Sequence, residues 1–310
     1  MSIRKIKTPR SQKELTKKEL SYIRGIYNKR FSADEACRRR PGISNIIAYE
    51  REWHIYPSVL DFLDKKSENY ELKNLEKDIY LDVIRPFLNK IPRGSAIIDI
   101  GGGIGRFAIE LARMGHSIHI VDSSKIALKR ASRHLHNRNL NNFSLHWADA
   151  ADLSMFPDNS FDAALAIELI CYSDKPDKVI KELARVTGKG SIIIISVEGK
   201  YGGMLSDANV SLDKIPEILR HSLLHIKNHL YVRYYTPISL KRLLEKHGIE
   251  IMGIFGSHYV TDGAFHKLID IDKLGDKKYK EGVLKIEKLC RKAPALKNLA
   301  RAWIAVGRKR

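Results

Sequence analysis

The chain has 310 residues, of which 44% are hydrophobic and 29% charged, so it can bury a sizeable core and lacks the composition of a disordered protein. Its longest apolar run, near residues 192–197, is far shorter than the roughly 18 residues of a membrane-spanning helix. The three cysteines are widely separated and form no CxxC pair, which argues against a disulfide framework and against a cysteine zinc site. No apolar secretory segment opens the sequence, so a reducing cytoplasm is the predicted location.

Charge is concentrated at the two ends of the chain. The formal net charge is +19, and residues 1–40 and 271–310 each contain 13 Lys/Arg against 4 Asp/Glu. The residues between them are almost neutral. Basic ends attract polyanions through counterion release, so weak nucleic-acid binding stays open as a hypothesis. The alternative is that these lysines and arginines cover solvated helix faces and a terminal tail.

The sequence pattern predicts three regions. Residues 1–40 form a basic N-terminal extension, and residues 41–90 have the apolar spacing of helices that would form a cap. The pattern changes at Pro92-Arg93-Gly94, so residues 91–310 are predicted to form the main domain. Residues 201–234 are predicted to be an insertion that adds to the cap, with a helix over 215–230.

The main domain alternates short apolar runs with amphipathic helical runs. Strands are predicted at 96–100, 117–122, 144–147, 162–167, 191–197, 250–255 and 302–307. Helices are predicted at 105–114, 125–138, 178–186 and 236–247, the last opened by Thr236-Pro237. Continuously apolar strands that alternate with helices indicate an α/β fold whose parallel sheet is covered on both faces.

A glycine-rich loop follows the first predicted strand, in the segment Ala96-Ile-Ile-Asp-Ile-Gly-Gly-Gly-Ile-Gly105. Glycines let the backbone turn sharply and approach a ligand, and the helix that follows favours negative groups at its N-terminus. Gly103 and Gly105 also satisfy the dinucleotide pattern G-x-G-x-x-A. Asp99 argues against that ligand, because a carboxylate repels a pyrophosphate and attracts an ammonium group.

This acid-plus-glycines segment resembles the first motif of the class I S-adenosylmethionine (SAM) methyltransferases. The resemblance covers roughly residues 90–256 and the final strand, and it is nearest to the group that includes the ubiquinone and menaquinone methyltransferases. It implies a Rossmann-like sheet of seven strands, the last antiparallel, with SAM as the methyl donor. It also implies that four residues hold the cofactor's amino-acid end, namely Asp99, Gly101, Gly103 and Gly105.

The same resemblance assigns further cofactor residues. Asp122 ends the second strand, where the family's acid accepts the two ribose hydroxyls. Asp149, followed by Ala150, stands where the family's acid accepts the adenine amino group. Each acid alone is equally well explained as a helix or turn cap; their order along the chain favours the cofactor interpretation.

The catalytic residues are harder to predict, because SAM carries an already activated methyl group and the family's bases vary. Glu168 follows the fourth strand and is a candidate base, with a polar cap as its alternative. His225 and His229 share one face of the predicted insertion helix with His221 and are further candidate bases. No acid joins them at that spacing, so no metal site is predicted. Cys171 is more plausibly a buried small side chain than a nucleophile.

Together these patterns predict a SAM-dependent methyltransferase that acts on a small organic molecule, at oxygen, carbon or nitrogen. Two alternatives stay open: an RNA methyltransferase whose basic ends hold the phosphate backbone, and a SAM-binding protein without catalysis. No known RNA-binding module is recognisable in the sequence. Residues 49–56 and 215–230 are expected to close over the carboxyl edge of the sheet as a lid.

Overall fold

The computed structural model describes residue 45, residues 60–226 and residues 230–310. Within these residues the strands are β1 (Ala96–Ile100), β2 (Ser117–Asp122), β3 (Phe143–Trp147), β4 (Phe161–Ala166), β5 (Thr187–Glu198), β6 (Leu223–Ile226), β7 (Leu230–Arg233), β8 (Ile249–Ser257) and β9 (Ala302–Lys309). The helices are α1 (Tyr70–Leu88), α2 (Arg106–Arg113), α3 (Lys125–His136), α4 (Pro176–Val186), α5 (Lys200–Ser206), α6 (Ile215–His221), α7 (Pro237–Lys246) and α8 (Lys277–Lys292).

One seven-stranded sheet organises the domain, in the order β3-β2-β1-β4-β5-β9-β8. The first five of these strands pair in parallel, and β9 runs antiparallel to both of its neighbours, β5 and β8. The predicted fold class, including an antiparallel last strand, is therefore confirmed. The order reverses beside β1, and such a switch point in a parallel sheet leaves a crevice at the carboxyl ends of the strands.

The sheet is buried on both faces, as its apolar strands predict. In β4, Ala163 and Leu165 pack into the cluster formed with α1, α2 and α3. Ala164 and Ala166 point to the opposite face and pack into the cluster that contains the buried side chains of α4 and α7. The alternation of side chains along a strand thus sends consecutive residues into two separate cores.

Local signals in the sequence explain the helix ends. The Ser124 side chain accepts the Ala127 N–H at the start of α3. Thr236 and Ser239 form a reciprocal capping box at the start of α7, with Pro237 in the first turn. The predicted role of Thr236 as a helix cap is thereby confirmed.

The predicted helix over 215–230 is wrong beyond its first two turns. Helix α6 ends at His221 because Ser222 adopts a left-handed conformation with φ of 55°. The next residues form an antiparallel hairpin in which Leu224 pairs with Val232 and His225 with Tyr231. The left-handed Ser222 thus separates helix α6 from the first strand of the hairpin.

Of the predicted helical cap at residues 41–90, the structure describes residue 45 and residues 60–90. Helix α1 buries Leu75, Ile79 and Ile84 completely in the two cores, so it is part of the body of the domain. Asn45 binds the hairpin: its Nδ2 donates to the Tyr231 carbonyl oxygen at 2.6 Å, and its Oδ1 accepts the Tyr231 N–H at 2.8 Å. The extension at 1–40 and the lid segment at 49–56 lie outside the described residues, and the domain boundaries stay predictions.

Candidate active site

A cavity of about 510 Å³ lies at the carboxyl edge of the parallel strands. Its walls are built from the segments that follow β1, β2, β3 and β4, together with α2 and the first residue of β7. These segments converge because parallel strands end at the same edge of the sheet. Among its lining residues are Asp99, Gly101, Gly103, Asp122, Asp149, Ala150 and Glu168, all of which the sequence singled out.

Gly105 is the predicted cofactor residue that does not line this cavity. It precedes α2 with φ of 88°, a conformation that side chains rarely adopt. A Cβ atom at this position would lie 3.4 Å from the Ala131 Cβ on α3. The structure thus gives Gly105 a role in the turn and in helix packing, which the glycine pattern alone does not separate from ligand contact.

Asp99 presents a buried carboxyl group to the cavity. Its Oδ2 has no hydrogen-bond partner within the described residues. Burial raises the pKa of Asp99 to about 7, the nearby Asp122 carboxylate adds to the increase, and Arg106 opposes it. An unsatisfied buried acceptor is costly, and a cationic donor such as an ammonium group relieves that cost. The residues present therefore fit the amino-acid end of SAM.

Asp122 connects the end of β2 to the glycine loop. Its Oδ2 accepts the Gly103 N–H at 2.9 Å, and its Oδ1 accepts the Ser124 N–H at 2.8 Å. A carboxylate oxygen can accept more than one hydrogen bond, so these backbone bonds are compatible with a bond to a ligand hydroxyl. Asp122 thus has a structural role in the loop in addition to the predicted role at the ribose.

Asp149 forms a turn at the cavity wall, where its Oδ1 accepts the Ala151 N–H at 2.9 Å. The capping alternative considered from the sequence is therefore real for this residue. Asp149 and Ala150 also line the cavity, so capping and ligand contact are compatible here. The turn holds the carboxylate in one orientation, which favours recognition of a planar amino group.

Glu168 is held by hydrogen bonds and ion pairs at the opposite wall. Its Oε1 accepts the Tyr80 hydroxyl at 2.8 Å and an Arg301 N–H at 3.2 Å, and its Oε2 accepts an Arg106 N–H at 3.4 Å. Its backbone is left-handed, with φ of 55°, and its N–H donates to Ser196 Oγ. This conformation aims the side chain at the two arginines.

The electrostatics of Glu168 disfavour the predicted role of a base. Burial alone raises the pKa of its carboxyl, but Arg106 and Arg301 outweigh burial and hold the pKa well below its ordinary value. A carboxylate that is so strongly stabilised as an anion is a weak proton acceptor. No sequence motif pointed to Tyr80 or Arg301 as partners of Glu168. Only Arg106, which directly follows Gly105, lies beside a recognised motif.

Glu198, at the end of β5, is a better proton acceptor that the sequence analysis missed. Its Oε1 accepts the Tyr172 hydroxyl at 3.1 Å and an Arg301 N–H at 2.8 Å. Burial raises the pKa of Glu198 to about 7, Arg301 opposes the increase, and Glu168 adds to it. Tyr172 lines the cavity, so its hydroxyl connects the cavity to Glu198. A pKa near neutrality suits a residue that exchanges protons.

The histidine hypothesis has no support from the geometry. His225 is an exposed strand residue whose ring packs edge-on against Tyr231, and it is not among the residues that line the cavity. His221 ends α6 and is also exposed. The expected common helical face does not exist, and His229 lies outside the described residues.

The burial of Cys171 tests whether this residue is a nucleophile. Cys171 is completely buried, and burial raises the pKa of its thiol well above the ordinary value, which leaves the thiol inert as a nucleophile. Among the described residues, no group of three or more His, Cys, Asp or Glu side chains is placed to hold a metal ion.

The fold and this cavity define a Rossmann-like domain with a cofactor-type cleft at the switch point of its sheet. Residues 98–195 match the family model described as "Methyltransferase domain". These residues form a methyltransferase domain, in agreement with the predicted class I SAM-dependent family and with SAM as the methyl donor.

Curated relatives agree with this assignment. The chain is 34% identical to an O-methyltransferase of Aspergillus nomiae over 34% of its own length and 47% of that enzyme. It is 24% identical to a ubiquinone biosynthesis O-methyltransferase of Thiobacillus denitrificans over 54% of its length and 69% of that enzyme. It is 31% identical to a phosphatidylethanolamine N-methyltransferase of Cereibacter sphaeroides over 33% of its length and 50% of that enzyme. The chain thus spans about half the length of several relatives, and their varied names do not single out the ubiquinone-like group.

Solved structures share the fold at low sequence identity. A methyltransferase structure from Galdieria sulphuraria superposes with a TM-score of 0.51 at 17% identity, covering 76% of this chain and 86% of that one. A SAM-dependent methyltransferase of Thermotoga maritima superposes with a TM-score of 0.50 at 17% identity, covering 83% of this chain and 100% of that one. At such identities the likeness concerns the fold alone.

Proposed function

We propose that this protein transfers a methyl group from SAM to a small organic acceptor, on oxygen, carbon or nitrogen. The observation that carries the proposal is the cavity in which the unsatisfied Asp99 carboxyl, the glycine loop and the acids Asp122 and Asp149 meet. The names of relatives that methylate small molecules support the same acceptor class.

In this proposal the cofactor supplies an activated methyl group, and the chain's residues bind, orient and move a proton. Asp99 pairs with the ammonium group, Asp122 accepts the ribose hydroxyls, and Asp149 accepts the adenine amino group. Glu168 is held in place by its ion pairs with Arg106 and Arg301, so it orients this wall of the cavity.

An acceptor that loses a proton on methylation needs a route for that proton. Tyr172 lines the cavity, and its hydroxyl donates to Glu198. The acceptor's proton passes to the Tyr172 oxygen while the Tyr172 proton passes to Glu198, so the tyrosine ends unchanged and the glutamic acid is protonated. Glu198 and Tyr172 replace the predicted histidines as the proton-handling groups in this proposal.

Replacing Asp122 with Ala is expected to weaken SAM binding by roughly 10- to 150-fold, because charge-assisted bonds to two hydroxyls are worth about 1.5–3 kcal/mol. Isothermal titration calorimetry measures the change. Asp152→Ala is the matched control, since Asp152 is an exposed loop acid outside the cavity that caps Ser154. Equal affinity for the two variants rejects the assignment of Asp122.

SAM affinity is expected to fall as the pH falls through about 7. The raised pKa of Asp99 means that its carboxyl becomes protonated below that pH, and the neutral acid no longer pairs with an ammonium group. Asp99→Asn is expected to bind SAM weakly and without this pH dependence. Calorimetry between pH 5.5 and 8.5 tests the prediction; an unchanged slope in the variant assigns the dependence to another group.

The acceptor class is tested by incubating the protein with methyl-labelled SAM and separate pools of metabolites, RNA and protein. We expect label in the metabolite pool. Label in RNA favours the alternative in which the basic ends hold a phosphate backbone, and turnover in no pool favours a non-catalytic SAM-binding protein.

We place the reaction in the cytoplasm, because Cys171 and Cys290 are free thiols, as in a reducing compartment. Cell fractionation tests this location.

A further inference from the structure

An apolar groove lies beside α8 and shares no lining residue with the candidate active site. It measures about 780 Å³ and opens between α8 and the segment 260–269. Its walls include Val260, Phe265, Ile269, Val283 and Leu296. Such a concave apolar surface is costly to leave in contact with water.

Large apolar side chains surround this groove and point into solvent. Leu268 is 79% exposed, Ile286 52% and Leu289 60%. Ile286 and Leu289 are three residues apart on α8 and therefore lie on one face of the helix. Val283 and Cys290 are buried and line the groove together with Ile286, so the exposed pair continues the apolar stripe of α8 toward solvent.

Lysines lie beside the exposed apolar pair. Lys278, Lys285 and Lys292 recur every seven residues along α8, which places them in one row next to Ile286 and Leu289. All three are exposed, and none has an ion-pair partner within the described residues. By contrast, Lys280, Lys288 and Arg291 of the same helix pair with Asp78 and Asp82 of α1.

The surrounding segment reinforces this charge. Residues 263–297 contain ten Lys/Arg against five Asp/Glu. One of the acids, Glu287, is buried and accepts the backbone N–H groups of His258, Tyr259 and Val260. Glu281 is exposed beside the lysine row, at 3.9 Å from Lys277. The surface around the groove is therefore basic and apolar at once.

We propose that this face, formed by α8 and the segment 260–273, binds the surface of a bilayer that contains anionic lipid. The lysine row matches the negative headgroups, while Leu268, Ile286 and Leu289 enter the boundary between headgroups and acyl chains. A second copy of the chain fits less well, because it would bring two basic faces together. The contact is peripheral: within the described residues no helix is long and apolar enough to cross a membrane.

Flotation of the full chain with lipid vesicles at physiological salt tests the proposal without reference to methyl transfer. We expect binding to phosphatidylcholine vesicles that contain phosphatidylglycerol and little binding to pure phosphatidylcholine. The variant I286E/L289E is expected to bind at least about tenfold more weakly, because both side chains lose their apolar contact. Replacement of the lysine row by glutamine, K278Q/K285Q/K292Q, is expected to reduce binding on the order of 100-fold.

The basic ends of the chain make a charge-matched control necessary. L205E/L212E adds the same two negative charges at exposed leucines outside the groove, and we expect it to bind nearly as the unchanged chain does. Equal loss of binding in the two double variants overturns the proposal, since charge alone then explains the effect. A concentration-dependent dimer that I286E/L289E abolishes, without vesicle binding by the unchanged chain, assigns the face to a second copy and also overturns it.

Discussion

Glu198→Gln is expected to lower the rate of methyl transfer at saturating SAM by about 10²–10⁴-fold, the usual effect of removing a general base. Glutamine keeps the volume of Glu198 and cannot take up the proton. The rate of the unchanged enzyme should rise with pH through about 7, because burial raises the pKa of Glu198 to that value and only the ionised form accepts a proton. The variant should lose this rise.

Tyr172→Phe should reproduce the effect of Glu198→Gln, because the Tyr172 hydroxyl connects the cavity to that carboxyl. Tyr234→Phe is the matched control: the Tyr234 hydroxyl donates to Asp207 at 2.9 Å, and Tyr234 does not line the cavity. The measurement is a pH–rate profile for each variant with the acceptor identified from the labelled pools. A Tyr172→Phe enzyme with an unchanged rate and profile would falsify the proton route.

Arg301→Met should destabilise the folded protein by about 3 kcal/mol, the lower end for a largely buried ion pair that loses one partner. The Arg301 guanidinium lies 3.2 Å from Glu168, 2.8 Å from Glu198 and 3.9 Å from Asp262. Without the Arg301 guanidinium, these three carboxylates repel one another with less positive charge nearby. The melting temperature should fall by roughly 6–12 °C for a chain of this size.

The pH dependence separates lost charge from lost packing. The carboxyls that remain in Arg301→Met bind protons more readily in the folded state than in the unfolded state, so the destabilisation should be smaller at pH 5 than at pH 8. Arg113→Met is the control, because Arg113 is half exposed and pairs with Glu110 at the surface; its loss should cost less than about 1 kcal/mol. A pH-independent loss of stability in Arg301→Met contradicts the charge explanation.

The strands and the glycine loop could be predicted because their signals are local. The strands β1 and β2 have the predicted bounds, since continuous apolar runs between turns are typical of the interior of a parallel sheet. The Asp99-to-Gly105 segment could be recognised for the same reason, because one strand–turn–helix unit contains it. The hairpin in the insertion was not predicted, because it directly follows the real helix α6 and the helical pattern was extended across Ser222 into it.

The sequence by itself determined where the strands of the sheet lie along the chain, the glycine turn and the acids at the strand ends, because each depends on neighbours within a few residues. Only the tertiary structure decided which charges act together. Glu168, Glu198 and Arg301 are brought together where β4, β5 and β9 meet at one edge of the sheet. Burial and ion pairing there lower the pKa of Glu168, the predicted base, and raise that of Glu198, to which no sequence pattern pointed. Solvation and charge in three dimensions set these pKa values, and no spacing along the chain encodes them.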